Sequence, residues 1–226
     1  MSTIETQLSH REFYQISLKS QRYRFNITIQ SHVLLSQRRV YNGNMNQIEV
    51  EMRTMFDERE YTRLKDFLRT HATDLGVDDK NVWFFLMPDK LLKVVHNVSQ
   101  NTAKISLKLS SIGQGSAFGE QEVPIDPKDC QKMVDLLLNL GYTEMQNTPQ
   151  KRHNYVYEGV EIALKQSETW GYHAELEILV GDEAEVAAAE QKIRGVAQIL
   201  QLSLLTEKEL QTLTENINKM FRDSRK

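Results

Sequence analysis

The stretch Ile48-Glu49-Val50-Glu51-Met52-Arg53 decides the fold, because its apolar and charged residues alternate without exception. Alternate side chains of a β-strand point to the same side of the sheet. One face of this strand therefore carries Ile, Val and Met, and the other carries Glu49, Glu51 and Arg53. The sequence predicts a strand with one apolar face and one densely charged face.

Two other segments repeat this alternation. In residues 174–178, Glu175 and Glu177 share one face and Ala, Leu and Ile share the other. In residues 104–109, Lys104 and Lys108 lie opposite an apolar face. Any one such strand fits a sheet whose charged face meets water, as in a structural protein. An exposed sheet does not explain several strands that segregate acids from bases. Like charges side by side repel each other unless a ligand neutralises them.

A barrel with its polar face inward satisfies this pattern. Helices then cover the apolar outer face, and a wide bore can hold a ligand. Carboxylates in the bore could bind a divalent cation through oxygen ligands, and lysines and arginines could bind phosphate. The order of the strands and helices predicts an antiparallel sheet in an α+β fold, and the inward-facing barrel is the arrangement of that sheet that satisfies the charge pattern.

The predicted elements are spread along most of the chain. One helix follows Asp57 and ends near Gly76, a second runs from Asp126-Pro127 to Gly141, and a third runs from Asp182 to about Leu202. A fourth begins at Thr206, with Glu209 completing a capping box. The predicted strands cover residues 22–29, 47–55, 82–87, 91–98, 103–110, 117–124, 152–157, 160–166 and 172–180.

Composition limits the classes of partner. The net charge of −3 gives no general attraction to nucleic acid or to an anionic membrane. No apolar run approaches the ~20 residues that span a bilayer, and the N-terminus lacks the apolar core of a signal peptide. The single cysteine, Cys130, excludes an internal disulfide and favours a reducing compartment. We expect a cytoplasmic protein with no membrane partner.

The alternating segments resemble the CYTH family, also known as triphosphate tunnel metalloenzymes. Residues 49–53 are similar to its N-terminal Glu-x-Glu-x-Lys signature, with arginine in place of lysine. Residues 170–177, Trp-Gly-Tyr-His-Ala-Glu-Leu-Glu, resemble its closing Glu-x-Glu strand. Further similarity lies, in order, at Leu92-Lys93-Val94-Val95, Leu107-Lys108, Glu120-Gln121-Glu122 and Lys151-Arg152-His153-Asn154-Tyr155. The family includes class IV adenylyl cyclases, thiamine triphosphatases and inorganic tripolyphosphatases.

The resemblance implies an α+β fold built on a closed antiparallel β-barrel tunnel of about eight strands, with a polar, charged bore and helices packed outside. It also implies a domain plan and a set of roles. Residues 47–202 would form the tunnel domain, 1–46 a partly disordered extension able to add one or two strands, and 203–226 a C-terminal helix. Mg²⁺ or Mn²⁺ would be bound by Glu49, Glu51, Glu122, Glu175 and Glu177. Phosphates would be bound by Arg53, Lys93, Lys104, Lys108, Arg152 and Lys165. Glu49, Glu51 and Lys108 would act in catalysis.

The implied activity is metal-dependent hydrolysis of an inorganic or organic triphosphate. Its partners would be a triphosphate-containing small molecule or polyphosphate, with triphosphate-ended RNA as the one nucleic acid expected, and the last helix could form a homodimer. Three departures keep alternatives open. Val95 replaces an expected arginine, Lys165 replaces an expected aspartate, and no base precedes Glu120. The alternatives are a catalytically impaired triphosphate-binding module and an adenylyl cyclase of the same family.

Overall fold

The computed structural model describes residues 48–109 and 115–224, and these ranges contain nine strands and four helices. Among these residues, no helix is long and apolar enough to span a bilayer. The predicted strand at 22–29 and the rest of the extension 1–46 lie outside the described residues. In chain order the elements are β1 (Ile48–Phe56), α1 (Glu58–His71), β2 (Thr73–Val77), β3 (Lys80–Leu86), β4 (Leu91–Asn97), β5 (Thr102–Lys108), β6 (Ala117–Ile125), α2 (Cys130–Asn139), β7 (Met145–Tyr157), β8 (Val160–Ser167), β9 (Gly171–Val180), α3 (Val186–Ile199) and α4 (Glu207–Asp223).

Eight antiparallel strands close into a barrel in the order β7-β3-β4-β5-β6-β1-β9-β8. Closure depends on the 13-residue strand β7. Its residues 145–150 pair with β3, and its residues 151–157 pair with β8. The ninth strand, β2, pairs with the second half of β7 outside this ring. The predicted α+β fold with a closed antiparallel barrel is confirmed.

The apolar faces of the strands point outward and are covered by helices. Leu64 and Leu68 of α1 and Ile193 of α3 are buried in one cluster with the outer faces of β1, β8 and β9. Val134 of α2 is buried in a second cluster with Phe85 and neighbouring outer residues of β3 and β4. Each fully buried side chain of this kind contributes about 1.5–3 kcal/mol. The apolar halves of the alternating strands therefore fix the helices outside, and the charged halves are left to line the bore.

Two helix starts follow the sequence signals closely, whereas α2 and α3 begin four residues after the predicted Asp126 and Asp182, because a short 3-10 turn capped by each aspartate comes first. The Asp57 side chain accepts a hydrogen bond from the Glu60 backbone N–H at 2.8 Å. Thr206 and Glu209 form the predicted capping box of α4. The predicted end of α1 at Gly76 is wrong, because the helix ends at His71. Gly76 instead lies in β2 with φ of +91°, beside a register shift that a residue with a Cβ would strain.

The sequence did not predict two strand segments, β2 and the first half of β7, because neither shows the usual pattern of a strand. β2 is short and contains Asp74 and Gly76, which strands disfavour. The first half of β7 contains Pro149 and buries polar side chains, Gln146, Thr148 and Gln150. A strand that buries its polar residues has no apolar alternation to detect. This half-strand is recognisable only once the barrel has closed.

The C-terminal segment is joined to the barrel by specific hydrogen bonds. The Thr54 hydroxyl donates to the Ser203 carbonyl at 2.7 Å, and the Leu205 N–H donates to the Arg53 carbonyl at 2.8 Å. Further along α4, the Asn218 side chain accepts from Gln146 at 3.1 Å. These contacts hold α4 beside the start of β7 and the end of β1.

Candidate metal and phosphate site

Three carboxylates converge in the bore. Glu49 and Glu51 lie two residues apart on the inner face of β1, and Glu177 lies directly opposite Glu51 on β9. One carboxylate oxygen from each residue lies within 4.8 Å of the others. The Glu-x-Glu alternation of β1 and its register with β9 together produce this group, hereafter the carboxylate triad.

A buried lysine lies against the carboxylate triad. The Lys108 ammonium nitrogen is 2.8 Å from Glu49 Oε1 and 3.1 Å from Glu51 Oε2. Burial disfavours the charged lysine, but Glu51 and Glu49 outweigh this effect and raise its pKa. Lys108 therefore supplies part of the positive charge that these carboxylates require.

The two β1 carboxylates differ in their affinity for protons. Burial, together with the neighbouring Glu51 charge, raises the pKa of Glu49 to about 9. Burial also opposes ionisation of Glu51, but Arg53 and Lys108 outweigh it and lower the pKa of that carboxyl. The Arg53 Nε is 2.5 Å from Glu51 Oε1. One carboxyl of the pair is thus ionised, and the other is held protonated near neutral pH.

Glu175 shares the inner face of β9 with Glu177 but lies outside the carboxylate triad. Its Oε1 is 3.1 Å from an Arg53 nitrogen. Its Oε2 forms a hydrogen bond with the Lys165 ammonium and lies 3.7 Å from Arg152. Both oxygens of Glu175 are therefore engaged by cationic side chains.

Lys165 is buried at the position where the family resemblance leads one to expect an aspartate. Burial lowers the pKa of this lysine to about 8, against the attraction of Glu175. Its neighbour His173 is buried as well, and burial and Lys165 lower the pKa of that imidazole to about 4. The imidazole is consequently neutral at physiological pH, and Lys165 is the cation nearest to Glu175 Oε2.

Arg152 connects the centre of the bore to a second polar cluster, formed around Asp78. The sequence predicted Arg152 as a site residue but not this cluster. The Arg152 Nε is 3.3 Å from the buried Asp78, in the connection between β2 and β3. Asp78 also pairs with Lys80 at 2.8 Å and accepts a hydrogen bond from Asn97. Burial, with Arg152 nearby, lowers the pKa of Lys80 to about 7. Because Asp78 lies outside any predicted strand, its place in the bore was not detectable from alternation.

Two further pairs line the wall formed by β4, β5 and β6. Lys93 lies 3.2 Å from Glu120, which also accepts a hydrogen bond from Ser106. Lys104 forms an ion pair with Glu122. Glu120 was missing from the predicted site residues, although the Glu120-Gln121-Glu122 motif was a signal for it.

The structure brings some of the predicted site residues together and places others apart. Of the predicted metal ligands, Glu49, Glu51 and Glu177 are brought together, whereas Glu175 and Glu122 are each bound to cations elsewhere. All six predicted phosphate ligands form ion pairs with acids, namely Arg53, Lys93, Lys104, Lys108, Arg152 and Lys165. In the part of the bore that the structure describes, opposite charges nearly balance.

The carboxylate triad is chemically suited to a hard divalent cation. Mg²⁺ and Mn²⁺ prefer carboxylate oxygens, and the triad offers three such ligands, two from the buried Glu49 and Glu51 and one from the partly buried Glu177. Burial and the neighbouring Glu51 charge both raise the pKa of Glu49, and nearby positive charge counteracts such shifts. Because a divalent ion would provide that charge, the residues present fit such a metal.

The fold and its charged bore define the class of protein. It is a β-barrel whose inner face carries acidic and basic side chains that form ion pairs with one another. Residues 94–209 match the sequence model of the CYTH domain, which spans more than half of the chain. The chain belongs to the CYTH domain family, as the motifs predicted. No curated protein matches it.

Solved structures with the same fold come from varied proteins. A conserved hypothetical protein from Pyrococcus furiosus matches with a TM-score of 0.56 at 21% identity, over 69% of this chain and 91% of that one. A proposed adenylate cyclase from Vibrio parahaemolyticus matches with a TM-score of 0.54 at 17% identity, over 73% and 92%. A chain of the Schizosaccharomyces pombe Mediator head module matches with a TM-score of 0.53 at 11% identity, over 70% and 97%. At these identities the likeness shows the fold alone.

Proposed function

We propose that this protein hydrolyses a triphosphate inside the bore with the help of Mg²⁺ or Mn²⁺. The observation that carries the proposal is the carboxylate triad beside buried cationic side chains. Acids that bind a metal and bases that bind phosphate oxygens are the two components that phosphoryl transfer requires. Membership of the CYTH family supports the same activity.

In this proposal the metal is bound by Glu49, Glu51 and Glu177. When bound, it neutralises charge on the phosphates and lowers the pKa of a coordinated water. Arg53, Lys108 and Arg152 bind the phosphate oxygens with charge-assisted hydrogen bonds, exchanging their present carboxylate partners for the substrate. Lys93, Lys104 and Lys165 extend this set along the bore.

The residues next to the reacting phosphate have different roles in this proposal. Lys108 contacts both Glu49 and Glu51, so its ammonium can hold a phosphate oxygen close to the metal. It would stabilise the negative charge that develops as the phosphoanhydride bond breaks. Glu49 and Glu51 would hold the metal, which would supply the charge that activates a water for attack. Little covalent chemistry is needed from the protein, because positioning and charge neutralisation dominate such reactions.

A second candidate function is triphosphate binding without turnover. The observation that favours it is the engagement of both Glu175 oxygens by Arg53 and Lys165, which leaves fewer carboxylates for metal. The same fold occurs in a Mediator head module chain. Adenylyl cyclase activity is the alternative within the family, and one neighbour in fold is described as a proposed adenylate cyclase.

One experiment separates these functions. Tripolyphosphate, ATP, thiamine triphosphate and triphosphate-ended RNA are each incubated with the protein and Mg²⁺ or Mn²⁺. Metal-dependent release of phosphate supports the hydrolase, and release of pyrophosphate with a cyclic nucleotide supports the cyclase. Thermal stabilisation without any product supports the binding module. If none of the four compounds is turned over or bound, the proposed function is wrong.

Other features of the proposal stay predictions. These are a cytoplasmic location, a homodimer formed through α4, the domain limits at residues 47 and 202, and the identity of the metal. The choice between Mg²⁺ and Mn²⁺ is testable in the same assay, because each metal is supplied separately.

A further inference from the structure

Lys80 is a cation of the bore to which the proposed function gives no role. It begins β3 and shares a strand face with Val82 and Phe84. Phe84 lies directly opposite Lys93, a cation of the bore wall, so this face lines the bore. The Lys80 side chain is 18% exposed, and its ammonium nitrogen lies 2.8 Å from Asp78 Oδ2. A largely buried cation on the inner face of the barrel is a candidate phosphate ligand.

Lys80 and Lys104 approach the same part of the bore from two strands. Val95 of β4 lies directly opposite Val82 of β3 and Lys104 of β5. Lys80 lies opposite Asn97 and is therefore the diagonal neighbour of Val95. Residues in that relation lie about 7–8 Å apart, within reach of a long side chain. The two lysines thus flank a bore position, Val95, that carries no charge of its own.

The Asp78 carboxylate is surrounded by donors. Its Oδ2 accepts from Lys80 and, at 3.1 Å, from the Asn154 amide, and it lies 3.3 Å from Arg152 Nε. Its other oxygen accepts from the Asn97 amide. Two cations and two amide groups would also bind a phosphate group, whose oxygens accept charge-assisted hydrogen bonds. Asp78 therefore occupies a place that would suit a phosphate of the substrate.

The charge of Lys80 is only partly compensated by Asp78. Among the described residues, Asp78 is the one ion-pair partner of Lys80, and it is shared with Arg152. Burial lowers the pKa of Lys80 to about 7, and the charges of Arg152 and Lys104 add to this shift, which the attraction of Asp78 does not offset. A phosphate beside the ammonium would counteract the shift and keep Lys80 charged.

We propose that Lys80 is a further phosphate ligand of the bore, and that Asp78 holds this ligand in the free protein until phosphates take its place. The proposal rests on the proposed function and extends its phosphate site to the end of the bore at the connection between β2 and β3. Arg152 lies 3.7 Å from Glu175 and 3.3 Å from Asp78, so it links the two regions. A triphosphate bound at the carboxylate triad extends past Arg152 towards Lys80.

The other interpretation of this contact is a buried ion pair that only stabilises the fold. Removal of either partner from a buried pair is destabilising, because the remaining charge has no compensation. A structural pair would therefore respond alike to the loss of either charge, Lys80 or Asp78. A phosphate ligand held by a competing carboxylate would not, because loss of the ligand weakens binding and loss of the competitor strengthens it.

The test compares variants of both partners. Lys80→Gln removes the charge, Lys80→Arg keeps it, and Asp78→Asn removes the competing carboxylate. Lys128→Gln is the matched control, because Lys128 pairs with the aspartate two residues before it at 2.7 Å, as Lys80 does at 2.8 Å, but its side chain is 73% exposed. Calorimetry with Mg²⁺ measures the Kd of tripolyphosphate for each variant, and calorimetry with Mn²⁺ alone reports on the carboxylate triad.

We expect Lys80→Gln to raise the Kd of tripolyphosphate by about ten-fold. Lys80→Arg should keep the Kd within about three-fold, and Asp78→Asn should lower it by about three-fold or more. Lys128→Gln should change neither constant. The Kd of Mn²⁺ should stay within about two-fold in Lys80→Gln, which also shows that this variant folds.

The outcomes separate this inference from the function on which it rests. If tripolyphosphate binds the unmodified protein and Lys80→Gln leaves its Kd unchanged, Lys80 is no phosphate ligand and the rest of the bore site stands. If Lys80→Gln and Asp78→Asn weaken binding alike, the pair is structural and the inference is overturned. It is also overturned if Lys80→Arg loses as much affinity as Lys80→Gln, because charge is then not the cause. If no triphosphate binds the unmodified protein, the proposed function itself fails.

Discussion

Lys165 and Glu175 form a buried ion pair in the bore. Lysine and glutamate are buried together between β8 and β9, and Arg53 and Arg152 also lie beside the glutamate. A buried charge is tolerated only when partners compensate for its desolvation. Lys165 therefore compensates the charge of Glu175, and the pairing leaves Glu175 outside the carboxylate triad.

Replacing Lys165 with glutamine should separate its two effects. We expect Lys165→Gln to bind Mn²⁺ more tightly, because a repelling charge is lost, and tripolyphosphate more weakly, because a phosphate ligand is lost. Each constant should change by about ten-fold, the effect of ~1.4 kcal/mol. Calorimetry measures both. Lys151→Gln, at an exposed position of β7, is the matched control. Unchanged affinities for both ligands in Lys165→Gln would show that this residue has no role in the site.

Glu177 and Glu122 offer a matched pair of carboxylates. Glu177 belongs to the carboxylate triad, whereas Glu122 is paired with Lys104 outside it. We expect Glu177→Gln to weaken Mn²⁺ binding at least as much as the roughly 10- to 100-fold typical of changes around metal ligands. Glu122→Gln should leave the affinity within about two-fold. Electron paramagnetic resonance of free Mn²⁺ measures both. Equal losses in the two variants would mean that the triad is not the metal site.

At the level of elements, α4 is fixed in two ways. Its start is set by a local capping motif, and its position is set by contacts with the barrel. Its capping box satisfies the first backbone groups of the helix, and Gln146 and Glu144 of the barrel side bind Asn218 and Arg222. Most helical stability in proteins comes from packing, and caps add to it. The position of α4 against the barrel depends on both contributions.

Removing the cap should loosen α4 without disturbing the barrel. Thr206→Ala deletes the hydroxyl that accepts from the Glu209 N–H, which should cost about 0.5–2 kcal/mol. Hydrogen exchange should become faster in residues 207–223 and stay unchanged in β1 and β9. Thr212→Ala, inside the same helix, should have a much smaller effect. Faster exchange throughout the barrel would show instead that α4 and the barrel unfold as one unit.

At the level of the whole molecule, the charges of the bore nearly cancel. In the described residues, its carboxylates are Glu49, Glu51, Asp78, Glu120, Glu122, Glu161, Glu175 and Glu177, and its cations are Arg53, Lys80, Lys93, Lys104, Lys108, Arg152 and Lys165. A polyanion entering this bore displaces carboxylates from their cations, so its charge must be balanced in another way. A divalent metal on the triad can provide that balance.

Tripolyphosphate and Mg²⁺ should therefore stabilise the protein cooperatively. At about one hundred times its Kd, a ligand adds ~2.7 kcal/mol to the free energy of unfolding, which raises the Tm of a protein of this size by several degrees. We expect tripolyphosphate with Mg²⁺ to give a larger shift in Tm than the sum of the two alone, and high salt to reduce it. Scanning fluorimetry measures the shift, and sulfate at equal ionic strength is the control. Strictly additive shifts would contradict the role given to the metal.

The sequence by itself determined the features that depend on neighbouring residues. The alternation around Glu49 and Glu51 indicated a strand with one charged face, and the caps at Asp57 and Thr206 marked two helix starts. These signals are local, because strand faces and helix caps are set by residues two to four positions apart. The same alternation, read as a family motif, predicted the barrel and most of the charged residues that line it.

Only the tertiary structure decided which charges meet. Glu175 and Glu177 are equivalent in the sequence pattern, yet the register of β1 against β9 places Glu177 opposite Glu51 and Glu175 opposite Arg53. Asp78 enters the bore from a connection, and the first half of β7 turns polar residues inward. Strand register and barrel closure join segments far apart in the chain. The sequence therefore determined which residues face the bore on each alternating strand, and the closed barrel determined their partners.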